Sequence, residues 1–463
     1  MRIIPRTTAL GTMVLLLCCG PAEAQEGTPR RDSMDIDLPA ALEIALSESP
    51  SVQIAGKEIA RKEYALKGTR AGLLPNLSLG ASYSRTLQKQ KMSIGEQQIE
   101  VGTDNQWSGG VNLSLPLVAP ALWKTLRLSE TDIYLAAEQA RASKIMLIGA
   151  VKNAYYSLLN AKDSYGVLRV SYANAELNAQ IATDKYEQGL VSEYDKLRAD
   201  VQLRNQKPPL IAAENAVRLA DMQLKVLMGV DISEPMRFTG SLSDFEPEMV
   251  QDMHLLEADT SLTANTELKQ IDIQARQLDL AQRITRSRYL PSLNLSGNYQ
   301  WSSLNNDFRI GHYQWFPYAT VGVSLSIPIY EGGIKRHQLA QDKINIDQLE
   351  LQREDLVRQL ELSVQNSLNG IEKSIEEVGS NRESVHEAER AYSISQKRYE
   401  VGSGNLLELN DSEVALTRAR LSYNQSIFNY LTARADLEAT LGKAVEESAY
   451  PAVGTGKRLK SNE

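Results

Sequence analysis

Four short stretches of the chain alternate apolar and polar residues with a period of two. In the first, Leu77, Leu79, Ala81 and Tyr83 are interleaved with Ser78, Gly80, Ser82 and Ser84; in the second, Val111, Leu113, Leu115 and Leu117 face Gly110, Asn112 and Ser114. The third sets Leu293, Leu295, Gly297, Tyr299 and Trp301 against Asn294, Ser296, Asn298 and Gln300. The fourth sets Trp315, Ala319, Val321, Val323, Leu325 and Ile327 against Thr320, Gly322, Ser324 and Ser326. Because successive side chains of a strand point to opposite faces, the pattern predicts strands at about 76–86, 107–117, 292–302 and 313–329, each with one greasy and one polar side.

The rest of the pattern has a helical period. No proline interrupts Ala121 to Lys207 or Ile329 to Tyr450, and both segments are rich in strong helix formers. Leu360, Val364, Leu368, Ile371, Ile375, Val378, Val385 and Tyr392 follow at steps of three, four or seven, one stripe of a helix with charges on its opposite face. Unbroken from Ala121 to Glu187, such a helix reaches about 100 Å at 1.5 Å per residue, a length that calls for coiled-coil packing. Gly189 and Gly402 mark where each long helix turns back, giving return arms from Ser192 to Met228 and from Leu406 to Leu441. The arms are shorter than their partners, and helical segments Ser51–Leu73 and Ala264–Tyr289 have the length to complete them end to end. Lys207-Pro208-Pro209 predicts a kink in the first return arm only, so the two hairpins are expected to differ.

The same ordered set occurs twice. Leu74-Pro75-Asn76-Leu77-Ser78-Leu79 recurs as Leu290-Pro291-Ser292-Leu293-Asn294-Leu295, and Val111 to Leu117 as Val323 to Ile329. Lys185-Tyr186-Glu187-Gln188-Gly189 recurs as Arg398-Tyr399-Glu400-Val401-Gly402 at nearly the same offset. The division is a signal peptide at 1–24, an N-terminal extension at 25–37, repeats at 38–229 and 262–442 with a linker at 230–261, and a polar tail at 443–463.

The start of the chain carries Arg2 and Arg6, an apolar run from Ala9 to Cys19 and Ala22-Glu23-Ala24, the pattern of an export signal. Cleavage there removes both cysteines; a lipid anchor at Cys18 or Cys19 is the less favoured alternative, since Leu17 and Cys18 precede them. A net charge of -8 offers no basic field to nucleic acid, and Arg283, Arg286 and Arg288 read as a solvated helix face. The four histidines are scattered, no phosphate loop follows Gly109-Gly110 or Gly332-Gly333, and no Gly-x-Ser-x-Gly elbow occurs. Neither an enzyme nor a cofactor is expected.

After the signal no run approaches the ~18 apolar residues of a membrane helix, so any crossing is by strands. Strands of this length, with Tyr83, Trp107, Tyr299, Trp301, Tyr313 and Trp315 near their ends, fit an outer-membrane barrel. Four strands are too few to close one, and unpaired edges in lipid are forbidden, so closure needs several copies. The rival reading is a secreted periplasmic coiled-coil structural or adaptor protein without a pore.

From Leu38 to Gly442 the chain resembles the TolC-type outer-membrane efflux protein family. The resemblance rests on Leu38-Pro39-Ala40-Ala41-Leu42-Glu43-Ile44-Ala45-Leu46 with Ser49-Pro50, the two Leu-Pro-x-Leu strand starts, the strand-ending Pro116 and Pro328, Tyr330-Glu331-Gly332-Gly333, and the turns Tyr186-Glu187-Gln188-Gly189-Leu190-Val191 and Tyr399-Glu400-Val401-Gly402. It implies a mainly α fold with a membrane β-barrel portion: a homotrimer in which each chain gives four strands to one barrel and its long hairpins to one α-helical tunnel. It also implies a conduit for small molecules or proteins, a periplasmic adaptor and an inner-membrane transporter as partners, and residence in the outer membrane.

The mechanism of such a conduit lies at the helical turns. Asp195 follows the first turn, and Glu408 and Asp411 follow the second at a spacing that puts both carboxylates on one helix face. Repeated around a threefold axis they would form cation-favouring acidic rings; as single charges they equally suit a helix N-terminus. The resemblance implies that Glu408 and Asp411 form the entrance constriction and that Tyr399 and Asp195 help hold it shut. An arginine of the family's latch is absent, with Gly404 in its place, so closure is expected to be looser or to use another pair. Gly189 and Gly402 are expected to terminate helices with positive φ and to contribute to adaptor docking.

Overall fold

The computed structural model describes residues 34–94, 97–251 and 260–443. The expected signal peptide, both cysteines and the tail beyond 443 lie outside the described residues. A short strand, β1 (Met34–Ile36), precedes α1 (Leu38–Glu48) and α2 (Pro50–Ala71). Strands β2 (Asn76–Arg85), β3 (Gln90–Ile94), β4 (Gln97–Val101) and β5 (Asn105–Val118) lead into the first long hairpin, α3 (Pro120–Glu187) and α4 (Glu193–Met228). After β6 (Met236–Phe238), a 3₁₀ turn at Leu242–Phe245 and α5 (Glu246–Gln251), the second half runs through α6 (Thr266–Ser287), β7 (Ser292–Asn305), β8 (Phe316–Ser326), α7 (Ile334–Glu400) and α8 (Leu406–Leu441).

The long helices have 68 and 67 residues, and each return arm has 36. Helix α3 packs against α2, α4, α6 and α8, while α7 packs against α6 and α8. The return arms are completed as the sequence required. Gly229 ends α4 with φ 75°, and a Cβ there would lie 2.8 Å from the carbonyl oxygen of Glu48, the last residue of α1, and 3.0 Å from the Cα of Ser49, which precedes α2. Gly442 ends α8 with φ 71° against Ala264, where the Asn265 side-chain amide donates to the Thr440 carbonyl at 2.7 Å. Asn265 also caps α6, accepting from the Leu268 N–H at 3.0 Å.

Pro208 and Pro209 do not break α4, which continues through them to the same length as α8. Arg204 and Asn205, whose carbonyls lose their helical donors to the two prolines, are exposed along with them, so water can take the missing place. The opposite side of α4 stays buried through Ala199, Ala220, Leu224 and Met228.

The four principal strands form one antiparallel sheet in the order β2-β5-β7-β8, the two repeats meeting at β5 and β7. The fourth strand begins at Phe316, later than expected, so Tyr313 and Trp315 precede it. The register places Leu77, Leu113, Leu79 and Val111 in line with Leu295, Tyr299 and Val323 on one face. Ser78, Asn112, Asn298 and Thr320 share the other, where the Asn298 amide donates to Asn112 Oδ1 at 2.6 Å. The hairpin β3–β4 was not anticipated, because each strand has only five residues, too few for the alternation of Met92, Ile99 and Val101 with polar neighbours to stand out.

The main core surrounds Val151, Tyr155, Leu158, Leu159, Leu224, Ile371, Ile427 and Tyr430. The segments expected as extension and linker gird this core, because β1 and β6 pair in parallel. Lys162 Nζ donates to the Phe238 carbonyl at 2.6 Å, and Asp163 accepts from the Leu242 N–H at 2.9 Å. The girdle reaches the second hairpin at Glu246, whose carboxylate accepts from Arg382 of α7 and Tyr423 of α8.

Candidate gate at the hairpin turns

Both turns are built the same way. Gly189 and Gly402 take φ of 73° and 79°, a region that only glycine enters without steric cost, with open space around each. The next helix is then capped. Ser192 and Asp195 form a reciprocal box in which Asp195 Oδ2 accepts from the Ser192 hydroxyl at 2.8 Å. Asn405 accepts from the Glu408 N–H at 2.8 Å, so Asp195 and Glu408 both stand in a helical first turn, where the macrodipole favours a carboxylate.

Glu408 and Asp411 share the exposed face of α8, opposite buried Leu406 and Leu409. Arg398 reaches across its own turn to Glu408 at 3.3 Å and to the Ser403 carbonyl at 3.3 Å. Asp411 has no ion-pair partner among the described residues. Gly404 is hemmed in: a Cβ there would lie 3.0 Å from the Arg398 Cβ and 3.1 Å from the Tyr399 nitrogen. The tightness of this turn is a physical reason for the absence of an arginine.

Tyr399 belongs to a small buried cluster at the hairpin tips with Ala179 and Ala182 of α3, Ala199 of α4, and Leu406 and Leu409 of α8. It is only 3 % exposed, and its hydroxyl has no hydrogen-bond partner among the described residues. Desolvation, and secondarily the negative charge of Asp195, push this phenol above its ordinary pKa. Asp195 therefore acts on Tyr399 through its field, while its oxygen is taken by Ser192. The direct contact with Tyr399 comes from Lys185, which donates to the Tyr399 carbonyl and holds its ammonium 4.1 Å from the ring centroid.

One buried charge was missed by the sequence reading. Glu413 is 3 % exposed at the α3–α8 contact, where it accepts from Ser171 Oγ and, at 3.3 Å, from Thr417 Oγ1. Burial raises its carboxyl pKa, opposed by these two hydrogen bonds. Its signal was a carboxylate standing in the stripe Leu409, Glu413, Leu416, where an apolar residue belongs.

Residues 41–230 and 258–443 match the model of the family described as outer membrane efflux protein. The chain belongs to the outer membrane efflux protein family. It is 24 % identical over 408 residues to Outer membrane protein TolC of Escherichia coli strain K12, covering 82 % of this chain and 76 % of that one. Outer membrane protein OprJ of Pseudomonas aeruginosa is 24 % identical over 454 residues, covering 92 % and 88 % respectively. In fold the chain is similar to the Campylobacter jejuni CmeC outer membrane channel, with a TM-score of 0.70 at 18 % identity over 89 % of this chain and 86 % of that one. The protein is thus an outer-membrane efflux component, and the reading as a pore-free secreted adaptor has no support.

Proposed function

We propose that three copies of this chain close into one channel that carries solutes from a periplasmic pump and adaptor across the outer membrane. The observation that carries this reading is an apolar sheet face that none of the described residues covers. Leu79 and Val321 are each 81 % exposed, and Leu77 is 70 % exposed. Both outer strands, β2 and β8, are exposed along their whole length, and among the described residues each has a free hydrogen-bonding edge. In water this surface would aggregate; in lipid the apolar face is at home but the free edges are not. Pairing β8 of one copy with β2 of the next satisfies both requirements. No helix among the described residues is long and apolar enough to cross a membrane, which leaves the strands to do so.

The helical edges follow the same order. Helices α2 and α4 lie on one side of α3 and α7 on the far side of the second hairpin, so each copy presents complementary flanks to its neighbours. The adaptor is proposed to dock at the turns around Gly189 and Gly402, and the constriction to be lined by Glu408 and Asp411. Relatives carry different cargoes by name, among them a cobalt-zinc-cadmium resistance protein and an alkaline protease secretion protein, and either cargo class suits a passive conduit. The test is the mass of the detergent-purified protein by light scattering, followed by its conductance in a planar bilayer. A trimer that conducts is expected; a monomer that leaves bilayers sealed would overturn the reading.

A further inference from the structure

We propose that Lys185 is the residue that holds the two hairpin tips of one copy together, in place of the missing arginine. The inference rests on the channel reading above and deepens it by assigning the closing contact. Lys185 occupies the last turn of α3, and the carbonyl that it reaches, that of Tyr399, belongs to the last turn of α7. The C-terminal end of a helix carries a partial negative charge, so two such ends side by side repel. A single ammonium between them removes that repulsion and ties the turns through one atom.

The same ammonium stands over the Tyr399 ring, at 4.1 Å from its centroid, on a ring shielded from water by four helices. Desolvation strengthens a cation–π contact beyond its surface value. The contact joins α3 to α7, elements of different hairpins, and no other ion pair or cation–π contact at the turns does so among the described residues. Arg398 pairs with Glu408 inside the second turn, and Lys196 stands 5.3 Å from the Tyr186 ring inside the first. Those contacts shape each turn; the Lys185 contact joins them. Since the hydroxyl of Tyr399 has no partner, the clasp uses the ring and the backbone carbonyl and not the phenol oxygen.

Lys185 is thus a positioning residue: it touches no solute, and its loss lets the second hairpin swing from the first. Reconstituted wild-type, Lys185→Met, Lys185→Arg, Tyr399→Phe and Tyr399→Leu proteins are compared in planar bilayers, after light scattering has shown which assemble. Lys185→Met is expected to raise the open-to-closed ratio roughly fivefold, the order of one lost desolvated contact. Lys185→Arg, which keeps cation and donor, and Tyr399→Phe, which keeps ring and carbonyl, are expected to gate as the wild type. Tyr399→Leu opens the channel from the other side of the contact, and added to Lys185→Met it changes little further. A Lys185→Met channel that gates as the wild type overturns the clasp, as does Tyr399→Phe opening as far as Tyr399→Leu. A wild-type protein that never conducts overturns the channel reading instead.

Discussion

Ser171 of α3 donates its hydroxyl to the carboxylate of Glu413 on α8, joining the two repeats inside a coiled-coil contact where both side chains are buried. A carboxyl whose folded pKa is raised binds its proton more tightly in the folded protein than in the unfolded chain. The stabilisation is therefore full below the unfolded carboxyl pKa and is lost as pH rises through the folded one. Tyr392 of α7 feels the same carboxylate: burial first, and then the charge of Glu413, push its phenol above the ordinary pKa.

Glu413→Gln keeps an acceptor for Ser171 without the buried charge. It is expected to raise stability at neutral pH by ~1 kcal/mol and to flatten the fall in stability as pH rises above the ordinary carboxyl range. Glu413→Ala, which orphans Ser171 and leaves a cavity, is expected to destabilise at every pH. Thermal unfolding of the three proteins over rising pH is the measurement. A wild type and Glu413→Gln with parallel pH profiles would show that folding does not shift the carboxyl's pKa.

Glycines with the same φ should differ in their tolerance of alanine. Gly189 and Gly402 have positive φ but open surroundings, so alanine costs only the backbone conformation, ~1–2 kcal/mol. At Gly229 and Gly442 a Cβ would also drive into the backbone of Glu48 or Ala264, where the return arms meet the helices that extend them. Gly229→Ala and Gly442→Ala should therefore cost more in denaturant unfolding than Gly189→Ala and Gly402→Ala. Equal costs would mean that the helix ends have room to part.

The two faces of the sheet make opposite predictions for arginine. At Leu79 or Val321, on the apolar face, arginine should cost ~2–4 kcal/mol near the bilayer midplane and reduce insertion into the outer membrane. At Asn298, on the polar face beside Asn112, it should leave insertion intact and alter conductance. Membrane yield and bilayer recordings separate the outcomes; loss of insertion from Asn298→Arg alone would reverse the assignment of the faces.

Neutralising the exposed pair Glu408→Gln and Asp411→Asn should reduce cation-over-anion selectivity, as expected of a pore losing its acidic rings. Reversal potentials under a salt gradient read this directly. Because Arg398 and Glu408 are both half-exposed, breaking their ion pair is expected to change stability by less than ~1 kcal/mol. An unchanged reversal potential would assign these carboxylates to the helix dipole instead.

The legible part of the protein was periodic or repeated. Val364 and Ile371 at helical spacing and Leu293 and Leu295 at strand spacing each report their own element, because side-chain period is a property of the local backbone. The breakers Gly189 and Gly402 located both turns to the residue for the same reason. Shorter elements gave a weaker signal: Met92, Ile99 and Val101 share one face of the β3–β4 hairpin, but each strand spans only five residues, and β1 and β6 are too short for a period to register. The expected pairing of Tyr399 with Asp195 did not appear as a hydrogen bond, because Ser192, three residues away, reaches the carboxylate first.

By itself, then, the chain determined two duplicated hairpins, four one-sided strands and the acidic residues after each turn, all of which depend on neighbours within a few residues. The tertiary structure alone decided that β5 meets β7, that Glu246 ties the girdle to α7 and α8, and that Lys185 reaches Tyr399. Each of these joins residues far apart in sequence, and such contacts are set by how helices and strands of fixed length pack, which no local pattern records.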